Sequence, residues 1–116
     1  MKNFHTDGFC PVRDVLGRLG NKWSLLVLIT LNANGIMRFS DIHKSIGDVS
    51  QRMLTVTLRM LESDGLVKRK IYAEIPPRVE YSLTSRAESL IPLLNDLVDW
   101  ALQNMPGIRE SRNLSV

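Results

Sequence analysis

The stretch "VSQRMLTVTLRMLESDGLVKRK", residues 49–70, decides how this chain is read. Leu54, Leu58 and Leu61 recur at i, i+4 and i+7, which fixes the buried side of an amphipathic helix. Ser50 stands before it as an N-cap. Gly65 ends it, with Leu66 as the apolar residue expected after a glycine C-cap. The open side of the same helix carries Gln51, Arg52, Thr55, Val56 and Arg59. Such a face is either a solvated surface with scattered charge, the commonest meaning of the pattern, or a recognition surface. The flanking sequence bears on which.

Upstream, Pro11 suits the first turn of a helix, which Val12, Val15, Leu16 and Leu19 continue. A second helix is expected from about Lys22 to Leu31. It is apolar on most sides (Trp23, Leu25, Leu26, Val27, Leu28, Ile29) and so central and buried. "NANG" then interrupts the pattern, and "IMRF" fits one short strand. Ser40 is placed to cap a third helix whose Phe39, Ile42 and Ile46 face inward, and Gly47-Asp48 makes a tight turn into the helix that follows Ser50.

Downstream, the period changes to two. Val67, Ile71, Ala73 and Ile75 fall on one face of a strand, with Lys68, Lys70, Tyr72 and Glu74 on the other. Pro76-Pro77 marks a hairpin tip, because proline cannot sit inside a sheet. Val79, Tyr81 and Leu83 alternate along the returning strand. Thr84 or Ser85 caps a last long helix, Ser85 with Glu88 as a capping box. Pro92 predicts a kink or a late start in that helix, and the tail from Pro106 is expected to be loose.

Two short helices joined by a tight turn and followed by a two-stranded hairpin make a winged helix-turn-helix, mainly α with a small β-hairpin. In that arrangement the second helix fits the major groove of B-DNA. Gln51 can then pair bidentately with adenine, and Arg52 and Arg59 with guanine or phosphate. Thr55 can reach a base or a phosphate oxygen, and Val56 a thymine methyl. The helix start at Ser50 offers backbone N–H groups to a phosphate. Lys68, Arg69 and Lys70 alternate across a strand, so they divide between its two faces. Arg78, beside the proline-stiffened tip, is the stronger wing candidate for the minor groove or the DNA backbone.

Composition agrees. The 116 residues suffice for one domain, with an ordered core expected over about residues 10–104, and carry 44% hydrophobic and 23% charged residues. The net charge is +3 and the pI about 9.4. Between Arg52 and Arg78 six basic residues face three acidic ones, so this one stretch holds a surplus equal to that of the whole chain. Double-stranded DNA is therefore the expected partner. The longest apolar run, "LLVLI" from Leu25, is far short of the ~18 residues of a membrane span. The start "MKNFHTDGF" has no signal-peptide core, so no membrane is involved and a cytoplasmic location is expected. The lone Cys10 excludes an internal disulfide framework and a zinc cluster. His5, near a terminus, and His43, expected on the solvated side of the third helix, lack metal-ligand spacing. There is no phosphate-cradling glycine loop and no catalytic constellation, so no cofactor and no enzyme is expected. The rival class is a winged-helix protein–protein module, against which the basic wing argues.

Taken in order, "CPVRDVLGRLGNKWSLLVLITL", "RFSDI", "SQRMLTVTLRMLESDGLVKRKIY" and "PPRVEYSLT" resemble the HxlR-type transcriptional regulators, small MarR-related winged-helix proteins. The resemblance covers about Cys10 to Trp100. It implies a homodimer formed by N- and C-terminal helices and binding a pseudo-palindromic operator. Asn21 departs from it, because a second glycine usually precedes Lys-Trp; only a helix junction should change. Some members sense oxidising or thiol-reactive compounds through a cysteine placed like Cys10, and others have no known signal.

Two sequence features bear on that implication. The last helix carries a stripe of Leu90, Ile91, Leu94, Leu97, Val98 and Ala101. From it and Trp100 the expected dimer interface is Leu94, Leu97, Val98 and Trp100, shared with the first helix; the alternative folds the stripe onto the chain's own core. Cys10 stands just before a helix opened by Pro11, where free N–H groups and the helix dipole favour thiolate. It is a candidate redox sensor, against the alternative of a small packed residue. No effector is read from the sequence.

Overall fold

The computed structural model describes residues 11–114, and the other helices gather around α2, Lys22–Asn34. Its Val27, Leu28 and Leu31 are buried on sides that meet α3 (Phe39–Ile46), α4 (Gln51–Ser63) and α5 (Ser85–Leu114). A helix apolar most of the way round takes the centre, although Leu26, on its outer side, stays exposed. Asn21, where the resembled family favours glycine, is its N-cap, and Asn21 Oδ1 accepts the Trp23 N–H at 2.8 Å. The helix runs three residues beyond the expected end at Leu31. Asn34 Nδ2 donates to the Thr30 carbonyl (2.9 Å), and the chain turns only at Gly35.

The "IMRF" strand reduces to a single bridge, in which Met37 and Tyr81 exchange N–H···O bonds of 3.0 and 2.8 Å. Ser40 does not cap α3. The helix begins one residue earlier, with Arg38 in the cap position and its carbonyl taking the Asp41 and Ile42 N–H groups, so Ser40 already lies in the first turn. His43 is not simply solvated. Its Nε2 lies 2.7 Å from the Val49 carbonyl, and its ring stacks on Phe39, so it fastens the turn between α3 and α4. Gly47 makes that turn at φ +88°, its N–H bonded to the His43 carbonyl.

α4 starts and stops as its sequence requires. Ser50 Oγ accepts the Met53 N–H at 3.0 Å. At the far end Gly65 adopts φ +73°, and the Leu66 N–H returns to the Leu61 carbonyl at 2.9 Å, closing the helix with a left-handed residue. Two antiparallel strands follow, β1 (Val67–Tyr72) and β2 (Arg78–Leu83), with Arg69 opposite Tyr81 and Tyr72 opposite Arg78. β1 ends at Tyr72, so Ala73 and Ile75 lie beyond the strand that was expected to include them. Of the apolar face, Val67 is buried but Ile71 is exposed, because the hairpin leaves the core after its first residues.

Thr84, not Ser85, caps α5: its hydroxyl accepts the Ala87 N–H (3.2 Å) and donates to the Gly65 carbonyl (2.5 Å). That helix continues through both Pro92 and Pro106 to Leu114, the last described residue, so there is no late start and residues 106–114 are helical rather than loose. Each proline removes one bond, to the carbonyl of Glu88 or of Leu102. Both belong to exposed residues, where water can replace the missing donor. Leu94 is a correction to the expected interface: it packs into the chain's own core with Ile91 and Ala87, because it shares their helix face. Leu97 and Trp100 stay exposed, and Val98 is half-buried. α1, Pro11–Leu19, has no buried residue at all. Cys10 and His5 lie outside the described residues.

Candidate nucleic-acid interface

The face of α4 away from the leucines carries Gln51, Arg52, Val56 and Arg59 exposed and Thr55 half-buried, as the helical phase requires. Gln51, Arg52 and Arg59 make no side-chain hydrogen bond or ion pair among the described residues, so their polar ends are available to a partner. Thr55 differs. Its hydroxyl donates to the Gln51 carbonyl at 2.8 Å, which leaves its lone pairs and methyl group to face outward. With Ser50 Oγ engaged by Met53, the N–H groups of Gln51 and Arg52 remain the open donors of the first turn.

In the hairpin, Lys68, Lys70 and Tyr72 share one face, and Arg69 shares the other with Val67. Lys68 and Lys70 are exposed; Lys70 Nζ lies 4.8 Å from the Tyr72 ring centroid. Arg69 turns toward α4 and pairs with Glu62 at 3.4 Å. Arg78 is the most occupied of the wing cations. It lies between Glu74 (3.4 Å) and Glu80 (3.6 Å), and stacks over Tyr72 at 4.0 Å from the centroid. It can still reach a phosphate, but only by exchanging these partners, which makes the exposed lysines the freer wing charges.

Three contributors escaped sequence reasoning. Arg18 of α1 donates through Nε to Asp64 at 2.6 Å, a bond that holds the guanidinium above its ordinary range against the opposing effect of burial. Arg86 of α5 donates to the Asp64 carbonyl at 2.8 Å. The carboxyl-terminal end of α4 is thus tied to both α1 and α5, across 46 and 22 residues of sequence. The third is Tyr81, half-buried beside α4, whose phenol is pushed up by burial. Helical or strand periodicity carries no signal for pairs so far apart.

The family profile described as HxlR-like helix-turn-helix matches residues 18–109. The chain belongs to the HxlR-like helix-turn-helix family. An HTH-type transcriptional regulator of Methanothermobacter thermautotrophicus is 50% identical to this HxlR-like chain over 91 residues, 78% of the chain and 69% of the relative. The solved regulator ytfH from Salmonella typhimurium is 39% identical, with a TM-score of 0.80 over 90% of this chain and 92% of that one. Reduced YodB from B. subtilis is 32% identical, with a TM-score of 0.71 over 82% and 94%; YodB has also been solved after diamide treatment. These proteins are regulators of transcription, not enzymes, and so is this HxlR-like chain, whose described residues form five helices and the two-stranded wing of a winged helix. Among the described residues no helix is long and apolar enough to cross a membrane.

Proposed function

We propose that the chain is a single-domain, homodimeric, sequence-specific DNA-binding regulator acting in the cytoplasm on a pseudo-palindromic operator. The observation that carries this reading is the outward stripe of α4, where the side chains of Gln51, Arg52 and Arg59 have no partner among the described residues on a helix capped at both ends. In the major groove Gln51 and Arg52 read base edges and Arg59 meets a base or a backbone phosphate, with Val56 against a thymine methyl and Thr55 accepting or packing. Ser50 and the first-turn N–H groups meet a backbone phosphate, while Lys68 and Lys70, with Arg69 and Arg78 once exchanged from their carboxylates, follow the DNA backbone.

The dimer joins α1 to α5 of the partner. Support comes from the apolar surface both leave uncovered: Val12, Val15 and Leu16 on α1, and Leu97 and Trp100 on α5, with Val98 half-buried. Apolar surface left uncovered on two helices of a small domain marks an interaction site. Cys10 adjoins α1, so oxidation or alkylation there changes the helix that sets the spacing of two recognition helices. The solved reduced and diamide-treated states of YodB lend this redox role support.

The test is binding to the DNA that flanks the chain's own gene, across a salt series. Arg52→Ala and Arg59→Ala should each cost roughly 1–3 kcal/mol if the arginine reads a base. Parent-like binding by both variants rejects the α4 assignment, and retention by no duplex leaves a protein–protein module. Light scattering at low micromolar concentration should give a dimer, and a clean monomer rejects that part. Diamide should release DNA from the parent and not from Cys10→Ser; an equal response by both removes Cys10 as the switch.

A further inference from the structure

An open cavity of about 230 Å3 separates α4 from the hairpin, lined by Thr55, Leu58, Arg59, Glu62, Arg69 and Tyr81. Two periodicities build it. Thr55, Arg59 and Glu62 are i, i+4 and i+7 on α4, one stripe of the helix surface. Arg69 and Tyr81 are cross-strand partners, so they stand side by side on the hairpin face that turns toward α4. Leu58, almost fully buried, is the floor.

We propose that this cavity is a phosphate subsite. It takes one phosphodiester of bound DNA between Arg59, Arg69 and the Tyr81 hydroxyl, and Glu62 is the intramolecular anion that holds Arg69 until the phosphate replaces it. This rests on the DNA-binding reading above and adds two residues to it, Tyr81 and Glu62.

The charges match that occupant. Two arginines against one glutamate leave a net single positive charge, the complement of one phosphodiester. Arg59 has no ion-pair partner among the described residues. Arg69 has only the 3.4 Å contact to Glu62, between side chains 44% and 36% exposed, and so open an ion pair is readily exchanged. The Tyr81 hydroxyl makes no hydrogen bond among the described residues. Burial raises its phenol, which keeps the hydroxyl protonated as a donor, and Arg69, Glu62 and Arg59 line the same cavity. A neutral donor and two guanidinium groups lining one cavity suit a tetrahedral anion, which accepts several hydrogen bonds at once. The arrangement also ties the wing to the recognition helix: with phosphate bound, α4 and both hairpin strands grip one point of the DNA backbone.

The experiment compares the parent, Tyr81→Phe and Glu62→Gln for binding to the same flanking duplex across a salt series, with phosphate-ethylation interference and a thermal melt of each protein. Tyr81→Phe should weaken binding about 10-fold, because a hydrogen bond to a charged group is lost. Its salt slope should be unchanged, because no charge is removed. Glu62→Gln should bind about 2- to 5-fold more tightly, the competing ion pair being gone. One phosphate per half-site whose ethylation hinders the parent should no longer matter in Tyr81→Phe. If the parent binds and Tyr81→Phe matches it, or if Glu62→Gln binds more weakly with an unchanged melt, the subsite is refuted while the DNA-binding reading stands. A parent that binds no duplex removes both. Calorimetry of the DNA-free protein with inorganic phosphate separates the two sources of the anion: saturable binding lost in Tyr81→Phe would assign the cavity to a free anion and overturn the proposal.

Discussion

Replacing Gly65 by alanine tests how α4 is terminated and held. The backbone there is left-handed, at φ +73°, which costs an L residue roughly 1–2 kcal/mol. A Cβ would also lie 2.6 Å from Arg86 Nη1. That atom is the end of a flexible, exposed side chain, so it moves, but in moving it gives up its bond to the Asp64 carbonyl. A hydrogen bond of this kind contributes about 0.5–1.5 kcal/mol. Alanine narrows the unfolded ensemble and returns about 0.4–1 kcal/mol. Gly65→Ala should therefore destabilise by about 2 kcal/mol. In an Arg86→Ala background the second contribution is already absent, and the same substitution should cost only about 1 kcal/mol. Urea unfolding followed by circular dichroism, with matched m-values, measures both. Equal costs in the two backgrounds would refute the Arg86 contact, and a variant as stable as the parent would refute the left-handed terminus.

Other consequences are as definite. Leu28, fully buried at the centre, should lose about 2–5 kcal/mol as Leu28→Ala, with unfolding still cooperative. Thr57 Oγ1 is buried with no hydrogen-bond partner among the described residues, so Thr57→Val should raise the melting temperature by a few degrees; a lower one would mean that the hydroxyl has a partner. Tyr81 is raised above its ordinary 10.0, so the native state holds that proton more tightly than the unfolded chain. Its share of stability is thus complete below pH 10 and lost as pH rises through the native value. Tyr81→Phe should remove that alkaline loss, and identical alkaline profiles would contradict it.

What the sequence disclosed was whatever depends on neighbours within a few residues. The leucine phase of α4, Ser50 as its cap, Gly65-Leu66 as its end and the prolines at the hairpin tip are local signals, and each stands as read. So does the outward phase of Gln51, Arg52, Val56 and Arg59. Misreadings came where tertiary context outweighs a local rule. Pro92 does not delay the start of α5 and Pro106 lies inside it, because the carbonyls they orphan lie on its exposed side. His43 is drawn from solvent to the Val49 carbonyl. Leu94, indistinguishable by period from Leu97, packs inward because the helix crosses its own core there. Arg18–Asp64 and Glu62–Arg69 join different elements and have no sequence period. Arg78 looks free in the sequence, and only folding brings Glu80 and Tyr72 against it.

Dimethyl sulfate protection of the bound flanking duplex reads out whether the outer face of α4 lies in the major groove. The reagent methylates guanine N7 in the major groove and adenine N3 in the minor groove, so it distinguishes the two surfaces. Guanine N7 should be protected in two clusters about 10–10.5 base pairs apart, centre to centre. Arg52→Ala should lose protection at particular guanines in both. A bound duplex protected only at adenine N3, or with guanine N7 reacting as in free DNA, would contradict the account.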